Sequence, residues 1–382
     1  MKNKKENIHV AMLTSQFYPI IGGAEIQCLN LSRALIEQGV HVEVITPRVD
    51  KKSPKREIVN GVPVIRLPFL HPAELNIVVW LAFLWKHRNK YDIFHIHLFN
   101  RPHTVASWFI SKIFRKKTVV KFANTGHRFD LLMTRKDLRP PLSTLTEKAV
   151  RTADAIIAIC KQVEKELLSN GIDSKKIVSI PNGVVIGNIT NIQIRKQRRQ
   201  ALNLPQNRII VLRIGTLSEK KGIPVLLNAF EKVVKKCSDA YLLSVGGNEI
   251  PKELIVYQEQ FFENVRFVQN QADILPFYQA SDIFVLPSHT EGLSNALLES
   301  QSVGLPAVVT SVGGNTDVVK NGINGIVVDY GNAKQLASAL IDLIISKEKR
   351  ESMSREALNS IKQFDLSHIA HQYSRLYKIL SY

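Results

Sequence analysis

The sequence predicts an α/β protein built from two successive, doubly wound parallel-sheet domains. Three observations carry this expectation. Short apolar strands alternate with amphipathic helices along nearly the whole chain, the alternation restarts once after "NITNIQIRKQRRQALNLP", and 382 residues exceed what one ordinary core encloses. Strands of a parallel sheet are buried on both faces and therefore read as near-continuous Val/Ile/Leu runs. Two sets of such runs mean two domains, with the boundary expected near residues 182–190.

In the first set, "HVAMLTS" leads through "GGAE" into the helical "IQCLNLSRALIEQG", followed by the strands "VHVEVIT", "YDIFHIHLF", "TVVKFA", "ADAIIAI" and "KIVSIPNGV". The second set comprises "RIIVLRIGTL", "AYLLSVGG", "VRFVQ", "DIFVLPS", "PAVVTS" and "GIVVDY". The last segment, "FDLSHIAHQYSRLYKIL", has the spacing of an amphipathic helix, and its aromatic stripe reads as packing.

Composition narrows the class. An apolar fraction of 45% excludes wholesale disorder. The three cysteines, Cys28, Cys160 and Cys237, lie far apart, which argues against a disulfide frame or a thiolate zinc site. "MKNKKENIHVAMLTS" lacks the apolar core of a signal peptide. The longest apolar run, Leu75 to Trp85, is shorter than the roughly 20 residues a membrane-spanning helix needs. A cytoplasmic location follows as the expectation. The net charge of +18 is uneven, with 29 Lys/Arg against 15 Asp/Glu in residues 1–190 and 22 against 18 thereafter. An anionic partner of the N-terminal half is therefore expected, be it nucleic acid, a membrane surface or a phosphorylated substrate.

Three places can carry chemistry. Gly22 and Gly23 precede a helix, where paired glycines let a ligand approach the backbone and free N–H groups face an anion. Lys220 and Lys221 lie between the end of the strand "RIIVLRIG" and the next helix, at the edge of a parallel sheet where ligands bind. A solvated surface lysine is the competing account there. The third is "HTEGLSNALLES", the loop after "DIFVLPS". Ser294 or Asn295 can cap the following helix, whose mouth then offers the amides of Gly292, Leu293, Ser294 and Asn295 to a diphosphate. Glu299 lies one turn in, about 6 Å along the axis, at a nucleotide's phosphate-to-ribose reach. Glu291 precedes the cap and can face what hangs beyond the phosphates. Spacing alone is no warrant, because Glu348 and Glu356 repeat it in a polar helix.

These segments resemble family 4 retaining glycosyltransferases of the GT-B fold. The resemblance runs through "GGAE", "DIFHIH", "ADAIIAI", "SIPNGV", "GTLSEKKG", "VRFVQNQADILPFYQASDIFVLPSHTEGLSNALLES" and "GLPAVVTSVGGNTDVVKNGINGIVV". It implies two Rossmann-like domains facing a central cleft: an acceptor domain of residues 1–185, a nucleotide-sugar domain of residues 186–365, and a last helix, 366–382, returning to the first. By position, Glu299 resembles the ribose-binding glutamate. Glu291 and the amides of Gly292 to Asn295 resemble the part that holds the donor sugar and diphosphate. Lys221 matches the lysine that neutralises the leaving diphosphate, with Lys220 beside it; Gly23, after Gly22, matches the glycine that closes over it. The segment 267–271, which includes Val268, resembles the base-binding loop.

The chain departs from the family at three positions. Thr216 stands where an arginine often follows the strand glycine, and Lys220 or Arg213 are the substitutes the sequence offers. Ala123 replaces a common histidine near the reacting carbon, leaving Asn124, His127 and His97 as acceptor-side candidates. Val185 replaces an aspartate.

The implied reaction is transfer with retention, in which the leaving phosphate oxygen accepts the acceptor's proton and protein charge stabilises the departing diphosphate. Glu291 and Glu299 are then not the acid and nucleophile of a glycosidase. The chain contains no Asp-x-Asp, and no metal or cofactor is expected. The donor expected is a UDP-linked hexose or N-acetylhexosamine first, with GDP-mannose next. The acceptor the resemblance implies is a glycan or a polyprenyl-diphosphate-linked sugar of surface-polysaccharide assembly. His95, His97, His103 and His127 could hold zinc, but packing and an acceptor role rank above that. "NIVVWLAFLWKHRNK" and "SWFISKIFRKK" each place aromatics before basic residues, leaving open a peripheral contact with an anionic membrane, at the inner face of the cell membrane. The alternatives are a nucleotide-sugar epimerase of the same fold and a basic nucleic-acid-binding protein using Arg195, Lys196, Arg198 and Arg199. No nucleic-acid module is present, and that partner is not expected.

Overall fold

The computed structural model describes residues 8–20, 22–97, 102–123, 125, 142–261 and 263–381. The chain divides into two compact units, Met1–Gly183 with Leu366–Tyr382, and Val184–Asp365.

The first unit holds an eight-stranded sheet in the order β3-β4-β2-β1-β5-β6-β7-β8. Its strands are β1 (His9–Leu13), β2 (His41–Pro47), β3 (Arg56–Val59), β4 (Val62–Leu67), β5 (Ile93–His97), β6 (Lys117–Phe122), β7 (Ala155–Ala158) and β8 (Ile177–Ser179). All neighbours run parallel except β3, which is antiparallel to β4. The order reverses at β1 and β5, so a crevice opens beyond their carboxyl ends.

The β3–β4 hairpin is absent from the alternation described above, although the sequence signals it. Asn60 and Gly61 take φ of 47° and 83° between Val59 and Val62. An Asn-Gly pair flanked by apolar residues is the preferred two-residue hairpin turn.

Helix Gly23–Glu37 lays Cys28, Leu31 and Leu35 on this sheet. The final helix, Leu366–Ser381, packs on helix Gly23–Glu37. Its aromatic stripe is buried: Tyr373 and Tyr377 are fully covered, and the Tyr377 hydroxyl lies 2.6 Å from His95 Nδ1. The Gln38 amide donates to Ser367 O at 2.8 Å, and that of Gln27 to Gly183 O at 2.9 Å.

The second unit is a six-stranded, wholly parallel sheet in the order β11-β10-β9-β12-β13-β14. Its strands are β9 (Ile209–Ile214), β10 (Ala240–Val245), β11 (Val265–Val268), β12 (Ile283–Leu286), β13 (Ala307–Thr310) and β14 (Gly325–Val328). This is the doubly wound order with its reversal between β9 and β12. Helices Ile223–Lys236 and Ala333–Ile345 cover one face, burying Leu226, Phe230, Val233, Leu340 and Leu343 against Val211 and Val285. At 1.5–3 kcal/mol for each large apolar side chain fully buried, this core outweighs any single polar contact at the sheet edge.

The basic run that supported a nucleic-acid partner is committed to this unit's structure. Arg199 is buried against Asp282 at 2.5 Å, Arg195 lies 3.3 Å from the same carboxylate, and Arg198 Nε donates to Gln279 Oε1 at 2.9 Å.

Candidate active site

In the second unit the carboxyl ends of β9, β10 and β11 are almost bare of side chains. Gly215 N donates to Val245 O, and Gly246 N donates to Val268 O, both at 2.9 Å. Gly246 sits at φ 130°, and a Cβ there would collide with Gly215 O. Only glycine fits this close approach, which leaves the ends of β9 and β10 as a ledge without side chains, at the edge where ligands approach a parallel sheet. Val268 closes the row at the end of β11.

Two loops rise beside the ledge, one on each side of the reversal. The first runs from Gly215 to the short turn Glu219–Lys221 and ends at Gly222. Gly222 has φ 73°, and a Cβ on it would strike Pro287 O, so the loop after β9 locks onto the loop after β12. His289 N also donates to Lys220 O at 2.9 Å. The Lys220 side chain itself is exposed.

That lock brings Lys221 to Glu291. Lys221 Nζ lies 2.7 Å from Glu291 Oε1, with the lysine side chain 33% exposed and the carboxylate 8%. Beneath them Arg213, on β9, is 1% exposed. Its guanidinium donates to the carbonyls of Gly215 and Thr216, and its Nε has no partner among the described residues. Burial pulls the Arg213 pKa down to about 10, while the charge of Glu291 pulls it upward. Of the two substitutes considered for the absent arginine at Thr216, Arg213 is buried with its charge coupled to Glu291, whereas the Lys220 side chain is exposed.

The second loop leads into helix Asn295–Ser302. Ser294 is its cap, accepting from Leu297 N, while Gly292, Leu293 and Ser294 are buried behind Glu291. The loop is braced from behind by Gly313, at φ 55°, where a Cβ would hit Glu291 O; Gly314 N donates to Gly292 O at 2.6 Å. Gly313 belongs to the quoted "SVGGN", but its bracing of Glu291 had no signal in local spacing.

Glu299 lies one turn into the helix. The Tyr278 hydroxyl donates to its Oε2 at 2.8 Å. Burial pushes the carboxyl up to about 7, against the lowering effect of the Tyr278 bond. Tyr278 comes from helix Leu275–Ala280, and nothing in its spacing announced this role. A cationic pair, Lys221 and Arg213, thus stands beside a capped helix mouth. Such a mouth receives phosphate oxygens, and the carboxylate one turn in can accept from ribose hydroxyls.

The other candidates lie in the first unit. Gly22 caps helix Gly23–Glu37 in extended backbone. The Glu25 carboxylate folds back so closely that a Cβ on Gly22 would meet Oε2 at 2.5 Å. Burial raises the Glu25 pKa. His97 is buried in β5, stacked on His95 with centroids 4.5 Å apart. Its Nε2 has no partner among the described residues, and burial holds both imidazoles well below their ordinary pKa, hence neutral. No three His, Cys, Asp or Glu among the described residues are grouped to hold a metal ion. Asn124 and His127 lie outside the described residues.

Two parallel-sheet units with a phosphate-receptive edge at the second reversal define a GT-B glycosyltransferase architecture. The chain belongs to glycosyltransferase family 4. The model "Glycosyltransferase Family 4" matches residues 21–187, and "Glycosyl transferases group 1" matches residues 194–360. Among solved structures, sucrose-phosphate synthase from Thermosynechococcus elongatus aligns with TM-score 0.82 at 22% identity, covering 98% of this chain and 99% of that one. Anabaena HepE in complex with UDP-glucose aligns with TM-score 0.77 at 18% identity, covering 97% and 99%. The N-acetyl-alpha-D-glucosaminyl L-malate synthase of Bacillus anthracis is 25% identical over 374 residues, or 94% of each chain.

Proposed function

We propose that the protein is a retaining glycosyltransferase that moves a hexosyl or N-acetylhexosaminyl unit from a UDP-sugar to a glycan or lipid-linked acceptor in surface-polysaccharide assembly. The observation that carries this is the Lys221–Glu291 pair at 2.7 Å, set at the β9/β12 reversal beside the mouth of helix Asn295–Ser302. The donor's diphosphate lies against the amides of Gly292 to Asn295, with Lys221, Lys220 and Arg213 neutralising it. The ribose hydroxyls donate to Glu299, and the base meets the segment around Val268. Glu291 orients Lys221 and holds the donor sugar. By the family resemblance alone, Gly22 and Gly23 are assigned to diphosphate contact, and His97, Asn124 and His127 to the acceptor. UDP is favoured because one structural neighbour, HepE, was solved with UDP-glucose.

As the anomeric bond breaks, charge develops on the diphosphate oxygen. Lysine, arginine and aimed amides stabilise that charge without needing to reorganise. The acceptor hydroxyl attacks from the leaving group's own face and passes its proton to the departing phosphate oxygen. Charge neutralisation by protein cations makes the reaction independent of added metal. The test is NMR of the product formed with EDTA present, using a UDP-sugar and a polyprenyl-diphosphate-linked acceptor. Retained anomeric configuration supports the mechanism, whereas an inverted product or an absolute metal requirement refutes it.

A further inference from the structure

Helices Asn76–Lys86 and Pro102–Phe114 pack side by side in the first unit. Their inner faces bury Trp80, Leu84, Val105, Ala106 and Ile110. Their outer faces are not those of an ordinary solvated helix. Val78 and Trp85, seven residues apart and so on one stripe, are 61% and 49% exposed. Phe109 and Ile113, four apart on the neighbouring helix, are 49% and 47% exposed. The two stripes meet where the rings of Trp85 and Phe114 touch, with centroids 5.0 Å apart.

The basic residues are placed around this apolar surface. The Arg88 guanidinium carbon lies 5.7 Å from the Trp85 ring centre and 5.3 Å from that of Phe114. Lys112 is exposed on the second helix, Arg115 is exposed just past its end, and Lys86 is exposed on the first. Between Leu75 and Lys117 the sequence holds eight lysines and arginines and a single carboxylate, Asp92. Asp92 is engaged by its own unit, accepting from His9 N at 3.0 Å. Side-by-side apolar stripes rimmed mainly by positive charge, with Glu74 the exposed carboxylate in the turn that leads into the first helix, fit a partner that is oily inside and anionic at its surface. No helix among the described residues is long and apolar enough to cross a membrane.

We propose that this two-helix face docks on an anionic lipid bilayer. Trp85 and Phe109 enter the headgroup boundary while Arg88, Lys112 and Arg115 meet lipid phosphates. The charge decides for lipid over a second copy of the chain, because two such faces would bring like charges together. The inference is independent of the donor site, which lies in the other unit.

The test is flotation of the full chain with vesicles of phosphatidylcholine alone and with vesicles containing about one third phosphatidylglycerol. The wild type is expected to float with the anionic vesicles at least tenfold more than with the neutral ones. Phe109→Ser with Ile113→Ser, and separately Lys112→Glu with Arg115→Glu, each lower that fraction about tenfold. Trp85→Ser gives a third variant, and circular dichroism checks that all of them fold. Nucleotide-sugar binding by the same variants is expected to equal the wild type's, so failure of the donor site and failure of docking are read separately. Flotation unaffected by any variant, or independent of phosphatidylglycerol, overturns the proposal. So does concentration-dependent dimerisation that these substitutions abolish without any vesicle binding.

Discussion

Lys221 and Glu291, 70 residues apart, meet at 2.7 Å because the loops after β9 and β12 interlock through Gly222 and Pro287. The lysine is partly solvated but the Glu291 carboxylate is buried, so removing Lys221 takes one partner from a buried charge at a cost of about 1–3 kcal/mol. The larger consequence should lie in catalysis. Lys221→Ala is expected to lower the melting temperature by only a few degrees and kcat by about 100-fold or more, as loss of one preorganised charge does. Steady-state kinetics and thermal unfolding of the same sample check both halves.

Arg213 tests how the chain does without an arginine at Thr216. Arg213→Met removes a buried charge beside Glu291 and leaves the carbonyls of Gly215 and Thr216 without this donor. The expected result is a stability loss of about 1–3 kcal/mol together with slower transfer. Adding Thr216→Arg in that background should recover transfer more than stability, because Thr216 is exposed while Arg213 is not. Recovery of neither would assign Arg213 to structure alone.

Glu299 gives a pH signature. Its folded pKa, about 7, is raised above the ordinary 4.5 by burial. Folding therefore favours the protonated form: the group's contribution to stability is fully present below 4.5 and is lost as pH rises through about 7. Ribose binding runs the other way, since the ionised carboxylate is the better acceptor for two hydroxyls. Nucleotide affinity should rise across about pH 6 to 8 in the wild type and stay flat in Glu299→Gln. Titration calorimetry across that range distinguishes the two.

Gly313→Ala should act at a distance from any ligand. With φ at 55° and Glu291 O where the Cβ would go, alanine forces the Glu291–Gly292 loop to move. A stability cost of about 1–3 kcal/mol and weaker donor binding are expected together. Unchanged binding would mean that the brace is unnecessary.

The Tyr377 hydroxyl and His95 Nδ1, 2.6 Å apart, tie the final helix to β5. Because both are fully buried, Tyr377→Phe leaves the imidazole without that partner. About 1–3 kcal/mol of stability should be lost in chemical denaturation, with nucleotide binding unaffected.

Much of this architecture was legible in the residues, for physical reasons. Strands buried on both faces must be apolar throughout, so "HVAMLTS", "RIIVLRIG" and "DIFVLPS" announced themselves. The places of Lys221, Ser294 and Glu299 in the fold were legible because strand-end loops and helix caps leave local marks. The β3–β4 hairpin lies outside the alternation of strand and helix, and only the local Asn60-Gly61 pair marks it. Tyr278 and Gly313 were illegible for a different reason. Their roles exist only through contacts with Glu299 and Glu291 made across the fold, and no local pattern encodes such a contact. The basic run at Arg195–Arg199, which offered support only to the nucleic-acid alternative, shows the opposite limit. Composition counts charges, but only the fold shows that Asp282 and Gln279 already engage three of them.

The most direct test of the central claim is titration calorimetry of UDP-, GDP- and ADP-sugars, with EDTA present, against the wild type and Glu299→Ala. The account predicts that one nucleotide class, UDP first, binds without metal and loses about tenfold or more in affinity in the variant, as expected when hydrogen bonds to a charged group are removed. Binding of none of them, or binding that Glu299→Ala leaves untouched, would contradict it.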